Sequence, residues 1–338
     1  MVAAAIVMTV VVVQPAAACD IPVYEWALLN WAPDTYELLV FHEGPLDTGI
    51  ASALEALQTE ELPENQTLNL SSRRIAAGSS MQEADAQVWE RENPGESPWM
   101  ALRYPGMPPD FPSLWVGKAT LEEIQRISDS PARHAIAEAL ARPVSHVWVL
   151  LKCGDDRKDS EARERLEAGL ARIPDILDPE TVAPTASITH AVVEVDRNDP
   201  EEAVLVHTLL RSEPDLMAYD EPMVFPVFGR GRALYALVGA GIETENLNDA
   251  CAYIAGRCSC LVKDANPGVD LLLGADWPDV VSAAGVQAVA PSAAPSRDIP
   301  VDALPPTARP GWYILGGLAG AFIAMTGLSA FLMRKRFS

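Results

Sequence analysis

Basic residues are scarce in this chain: Lys and Arg number 25 against 47 Asp and Glu, a formal charge of −22 over 338 residues. That balance excludes an ordinary nucleic-acid binder, which needs a basic face to displace counterions. Cysteine is scarcer still, five in all, too few for a scaffold held mainly by disulfides. The histidines, His42, His134, His146, His190 and His207, are scattered, and none pairs at metal-ligand spacing. There is no His-Glu-x-x-His and no Gly-x-Ser-x-Gly elbow, so neither a zincin nor an α/β-hydrolase is indicated, and no metal or cofactor is expected. The 28 prolines follow no strict period, which excludes collagen. Hydrophobic residues make up 49% of the chain and charged residues only 21%, so an acidic disordered chain is excluded and a sizeable core is available. The length suggests about two folded domains.

What is present in quantity is apolar sequence at both ends. Residues 2–13 are uncharged and apolar, too short to span a bilayer, and are followed by Gln14-Pro15 and three alanines. This reads as a signal peptide, 1–18, cleaved after Ala18. Trp312–Met333 carries no charge and is long enough for a membrane helix, with Trp312 and Tyr313 at one interface and Arg334, Lys335 and Arg336 at the other. The pattern predicts a single-pass cell-membrane protein with its N-terminal part outside the cytoplasm and a cytoplasmic basic tail, 334–338. Gly316 and Gly320 give that helix a small-residue face able to pack against a second copy. Between them, residues 283–311 lack periodicity, are rich in Ala and Pro, and form an expected stalk. Leu304-Pro305-Pro306-Thr307-Ala308 resembles a cell-wall sorting signal, with Ala308 where that signal has Gly. Cys19, directly after the alanines, becomes the mature N-terminus, either as a plain thiol or as a lipid attachment point.

In the exported part the pattern alternates. Tyr36–His42, Val147–Cys153 and Ile188–Val195 read as strands, the last two as buried ones. Leu46–Leu57 and Asp159–Ile173 read as helices, and Asp199-Pro200-Glu201-Glu202 opens another with a capping box. Met223–Phe228, a turn at Gly229 and Gly231, and Ala233–Val238 read as a hairpin, and Thr244–Ala255 as a helix with Cys251 on its apolar face. The second half is thus β-α-β-α-β-β-α, an α/β order with a parallel crossover.

That order resembles the thioredoxin fold. Glu221-Pro222-Met223 stands where the family places a proline, usually cis, before its third strand, and Val238-Gly239-Ala240 precedes the final helix as in the family. The first half looks like a degenerate copy: Pro98-Trp99-Met100 parallels Pro222-Met223, and Ser113–Gly117 supplies the returning strand. The resemblance implies two thioredoxin-like domains in tandem, 19–143 and 144–282, plus one membrane helix, 312–333. The chain also resembles uncharacterised exported, C-terminally anchored proteins that share Gly229–Arg232 and a Cys-Ser-Cys-x-Val-Lys-x-x-Asn-Pro-Gly-x-Asp-Leu-Leu pattern, here Cys258–Leu272. That likeness implies no activity.

The chemistry-bearing candidates are few. Thioredoxin enzymes carry Cys-x-x-C where this chain has Cys153-Gly154-Asp155-Asp156, so the resolving thiol is missing and the two acids are expected to raise the pKa of the first. Cys258 and Cys260 stand one residue apart and suit soft-metal binding, thiol exchange or structural bridging. Bridging to Cys19 is the preferred reading in an exported protein. Arg230 and Arg232 offer contacts for an acidic partner. The sequence therefore predicts a binding or scaffolding module of the cell envelope with a protein partner and no evident catalysis. The alternatives are a thiol-disulfide or metal-handling protein using Cys258 and Cys260, and a wall-attached adhesive module.

Overall fold

Val147–Leu151 is an unbroken apolar run, and each of its residues is fully buried. A strand reads this way only when both faces of its sheet are covered. In the computed structural model, which describes residues 20–57, 67–78, 81–257, 263, 266 and 268–283, this run is the middle of a mixed α/β arrangement with two sheets.

The first sheet holds β1 (Tyr36–His42), β2 (Leu70–Ala76), β3 (Trp99–Arg103) and β4 (Trp115–Lys118) in the order β2-β1-β3-β4. β1 runs parallel to β2 and antiparallel to β3, and β3 is antiparallel to β4. The second sheet is built from β5 (His146–Lys152), β6 (His190–Asp196), β7 (Met223–Phe228), β8 (Arg232–Ala233), β9 (Leu237–Val238) and β10 (Val269–Asp270). Its order is β10-β8-β7-β5-β6, with β9 also on β7. β5 again has one parallel neighbour, β6, and one antiparallel neighbour, β7. The two sheets therefore share one plan.

Helices α1 (Val23–Asn30), α2 (Thr48–Ala56), α3 (Glu83–Glu92), α4 (Leu121–Ser128) and α5 (Pro131–Leu140) belong to the first half of the chain. Helices α6 (Asp156–Ile176), α7 (Ala203–Leu210), α8 (Thr244–Ala255) and α9 (Trp277–Ala283) belong to the second. Val147, Val149, Leu151, Phe225 and Val227 pack on one side with α5 and α7. Trp148, Leu150 and Val224 pack on the other side with α6 and α8.

The halves are not insulated from each other. Val204 and Leu272, from the second half, lie in the first sheet's core beside Leu38, Val40, Ile124 and Ile127. Glu202, 3% exposed, accepts from Ser130 Oγ at 2.6 Å and the Ala132 nitrogen at 2.7 Å, capping α5 from across the boundary. Arg133, 1% exposed, donates to the carbonyls of Ile127 and Leu272, and its burial lowers its pKa to about 10. The described residues belong to one compact unit.

Several sequence expectations change. β6 was expected to be buried, but it is the edge of its sheet and its outer residues are open, Val192 by 42%. The returning strand expected over Ala233–Val238 is split into β8 and β9. Pro226, which has no N–H to donate, stands on β7 opposite the gap. Glu202 caps α5 and leaves the start of its own helix to Asp199, whose side chain accepts from the Glu201 nitrogen. Of the two prolines expected to be cis, Pro98 follows a cis bond from Ser97 and Pro222 does not. An X-Pro bond is trans unless its surroundings select otherwise. β2, with Ser71, Ser72, Arg73 and Arg74, and α3 had no clear strand or helix pattern and were not foreseen.

The expected signal segment 1–18, Cys19, Cys258, Cys260, the expected stalk 283–311 beyond Ala283, the expected membrane helix 312–333 with Gly316 and Gly320, and the expected tail 334–338 lie outside the described residues. Among the described residues no helix is long and apolar enough to cross a membrane.

Candidate functional site

The C-terminal end of β5 meets the N-terminus of α6 at Cys153 and Gly154. Gly154 has φ +90°, and a Cβ there would lie 2.8 Å from Asn198 Nδ2, so the turn requires glycine. Asp155 is the N-cap of α6 and accepts from the nitrogens of Arg157 (3.1 Å) and Lys158 (3.0 Å). One turn on, the Asp159 carboxylate accepts from the nitrogens of Cys153 (2.8 Å) and Gly154 (3.0 Å).

This arrangement works against a reactive thiol. A helix start lowers a cysteine pKa when its free N–H groups face the sulfur. Here the Asp155 and Asp159 side chains take the nitrogens of Cys153, Gly154, Arg157 and Lys158, and the Asp155 nitrogen is left to favour the thiolate. Burial raises the Cys153 pKa, and the nearby Asp159 charge adds to the rise. Cys153 is half-buried and free. The expected direction of its pKa is correct, but the acid next to it is Asp159, not the Asp155 and Asp156 of the sequence reading.

Beside this turn lies a cleft of about 660 Å³. One wall is the first turns of α6, with Arg157, Lys158, Glu161 and Arg165. The other is the segment from Glu213 to Pro222, and the apolar floor includes Leu216, Pro222 and Val238. Arg197 donates to the carbonyls of Tyr219 (2.9 Å) and Glu221 (3.1 Å). Lys158 Nζ donates to the Asp220 carbonyl (3.0 Å) and Glu221 Oε1 (2.8 Å), and the Glu221 contact raises the lysine pKa. The segment before Pro222 is therefore held from two sides. It still presents Met217 and Tyr219 to solvent, 59% and 43% exposed.

The Gly-Arg-Gly-Arg turn does something else. Arg230 and Arg232 are each 7% exposed. Arg230 Nε donates to the Leu28 carbonyl at 2.8 Å, and Arg232 pairs with Asp270 at 3.1 Å and donates to the Asn266 carbonyl at 2.9 Å. Lys263 also contacts Asp270 and stands 2.6 Å from Asp34. The two arginines expected to meet an acidic partner instead meet their own chain, because the turn folds inward against α1 and β10. The glycines fit the same packing. At Gly229 (φ +60°) a Cβ would lie 2.9 Å from Ala27, and at Gly231 (φ +100°) 2.6 Å from Leu273. Lys263, Asn266, Gly268 and Asp270 of the downstream pattern are thus partners of Arg232 and of the strand it sits on.

A third polar cluster is closed to solvent. His146 Nδ1 lies 2.8 Å from Ser145 Oγ, and Nε2 lies 3.9 Å from Cys251 Sγ. The serine donates to the Thr189 carbonyl, so the histidine carries its proton on Nδ1 and accepts on Nε2. Burial, and then His190, lower the His146 pKa to about 3, and burial raises that of Cys251 to about 12. The sequence placed Cys251 on a buried helix face, but nothing in it paired that thiol with His146.

Among the described residues no three His, Cys, Asp or Glu side chains come together as a metal site. No protein-family model matches the chain, and no curated protein does.

Proposed function

We propose that this chain is a membrane-anchored, exported binding module whose two halves are tandem thioredoxin-like domains, with the cleft between α6 and the Glu213–Pro222 segment as its binding face. The shared strand order and pairing senses of the two sheets support the thioredoxin-like reading. The apolar span 312–333 and the residues 1–18 support export and anchoring.

The observation that carries binding over thiol exchange is the Asp159 carboxylate on the Cys153 and Gly154 nitrogens, next to an open cleft lined by Tyr219, with Met217 exposed on the same segment. Exposed apolar side chains on a segment held by Arg197 and Lys158 suit a protein partner at the envelope. The test is crosslinking in intact cells from a photoreactive residue at position 217, compared with the same residue at exposed Glu164. A partner captured at 217 and lost on Tyr219→Ala supports the reading. Equal capture at both positions, or none, rejects it. Protease treatment of intact cells, read through a C-terminal tag, tests the topology: the tag remains on a short protected fragment.

A further inference from the structure

Where the halves meet, a second cavity of about 180 Å³ is lined by residues from both. Tyr36 comes from β1, Tyr104, Met107 and Phe111 from the loop between β3 and β4, and Arg211 from the end of α7. Its walls are aromatic: Tyr104 lies 6.5 Å from Tyr36 and edge-on to Phe111 at 5.8 Å.

The loop is set in advance. Arg103, 5% exposed, donates to the carbonyls of Phe111 (2.5 Å) and Pro108 (2.6 Å), and Arg91 donates to Phe111 at 3.0 Å. Three charge-assisted bonds hold a loop that nonetheless leaves Met107 and Phe111 48% and 37% exposed.

The charges around the cavity are unequal. Its two carboxylates are neutralised: Asp34 by Lys263, Asp270 by Lys263 and Arg232. Arg211 donates to the Ser113 carbonyl at 3.0 Å and stacks 5.9 Å from the Tyr104 ring. Among the described residues no carboxylate pairs with it. In an acidic protein this leaves one cation, with spare donors, on an aromatic wall.

We infer that this cavity is a binding site for an aromatic carboxylate, its ring held by Tyr104, Phe111 and Met107 and its acid by Arg211. The volume admits one ring and its acid group, below the size of most cofactor pockets. A guanidinium presents paired donors that match a carboxylate. The shared chemistry fits a free aromatic acid or the C-terminus of a peptide ending in an aromatic residue.

The test is saturation-transfer NMR on the detergent-solubilised full chain with N-acetyl-phenylalanine, its amide, and a tetrapeptide ending in phenylalanine. The acid is expected to bind with a Kd of about 1 mM, as its size allows, and the amide about tenfold more weakly. Arg211→Gln removes the preference for acid over amide, and Met107→Ala, at an exposed position, weakens both. A tetrapeptide that binds more tightly than the free acid assigns the site to peptide ends, and the reverse order assigns it to small acids. The inference is overturned if the acid does not bind, if the amide binds equally well, or if folded Arg211→Gln protein keeps the preference.

Discussion

Asp159 Oδ1 stands 2.8 Å from the backbone nitrogen of Cys153 and Oδ2 stands 3.0 Å from that of Gly154. A carboxylate thus stands beside the thiol, and with burial it outweighs the Asp155 backbone N–H, which favours the thiolate. The Cys153 thiol is accordingly expected to alkylate more slowly than a free cysteine at neutral pH. Asp159→Asn is expected to speed the reaction and to cost about 1–2 kcal/mol, since the amide keeps one acceptor oxygen and sets an NH2 donor against the other backbone N–H. The rate of iodoacetamide labelling against pH, for both proteins, checks this. A wild-type rate at pH 7 above that of free cysteine rejects it.

His146 makes stability depend on pH. It is neutral in the folded state with a pKa of about 3 and returns to about 6.5 when unfolded. The folded pKa is depressed, so the full contribution is present above pH 6.5 and is lost as pH falls from there to about 3. The loss is on the order of 3–5 kcal/mol by linkage. His146→Gln should be less stable at pH 7.5 and lose less on acidification to pH 5. Melting temperatures across that range decide, and parallel curves for the two proteins reject the assignment.

The Asp270 carboxylate faces two cations, Arg232 and Lys263. Asp270→Asn leaves both without their common partner in the interior. Breaking a buried pair from one side costs about 3–5 kcal/mol, so the melting temperature should fall by roughly 10 °C. Lys118→Ala, which removes an exposed pair with Glu96, should change it little. Circular dichroism melts of the three proteins are sufficient.

Pro22 pairs with Arg257 in an antiparallel bridge, and the Val23 nitrogen donates to the Gly256 carbonyl at 3.0 Å. Cys19 is three residues before Pro22, and Cys258 directly follows Arg257. Cys19, Cys258 and Cys260 themselves lie outside the described residues. A bridge from Cys19 to one of them is expected on peptide mapping with thiols trapped at lysis. Cys258 and Cys260 both free would instead favour soft-metal or exchange chemistry.

Residues 19–143 expressed alone are expected not to fold, because Val204, Leu272 and Glu202 are missing from their core and helix cap. Residues 19–282 together should unfold in a single calorimetric transition. Two separate transitions would show that the halves are independent.

The strands β1, β5 and β7 and the helix α8 were legible because a buried strand must be apolar throughout and a half-buried helix must repeat its apolar residues. β2 was not: its Ser72 is buried with its hydroxyl bonded to the Leu54 carbonyl, and Arg73 ends on Glu37 and Asp85, so polar residues stand where apolar ones would have marked a strand. Arg230 and Arg232 were visible as a motif, but their burial was not, since a charge reads as exposed until its partner is known.

By itself the sequence determined the α/β alternation, the candidate thiols and the positions of caps and turns, since each depends on residues close together in the chain. Only the tertiary structure decided the rest. It brought Asp159 onto Cys153, turned two arginines inward onto Asp270 and Leu28, paired Cys251 with His146, and assembled the aromatic cavity around Arg211. Each of those depends on contacts whose energy is set by burial and distance, and except at Cys153 the partners lie far apart in sequence.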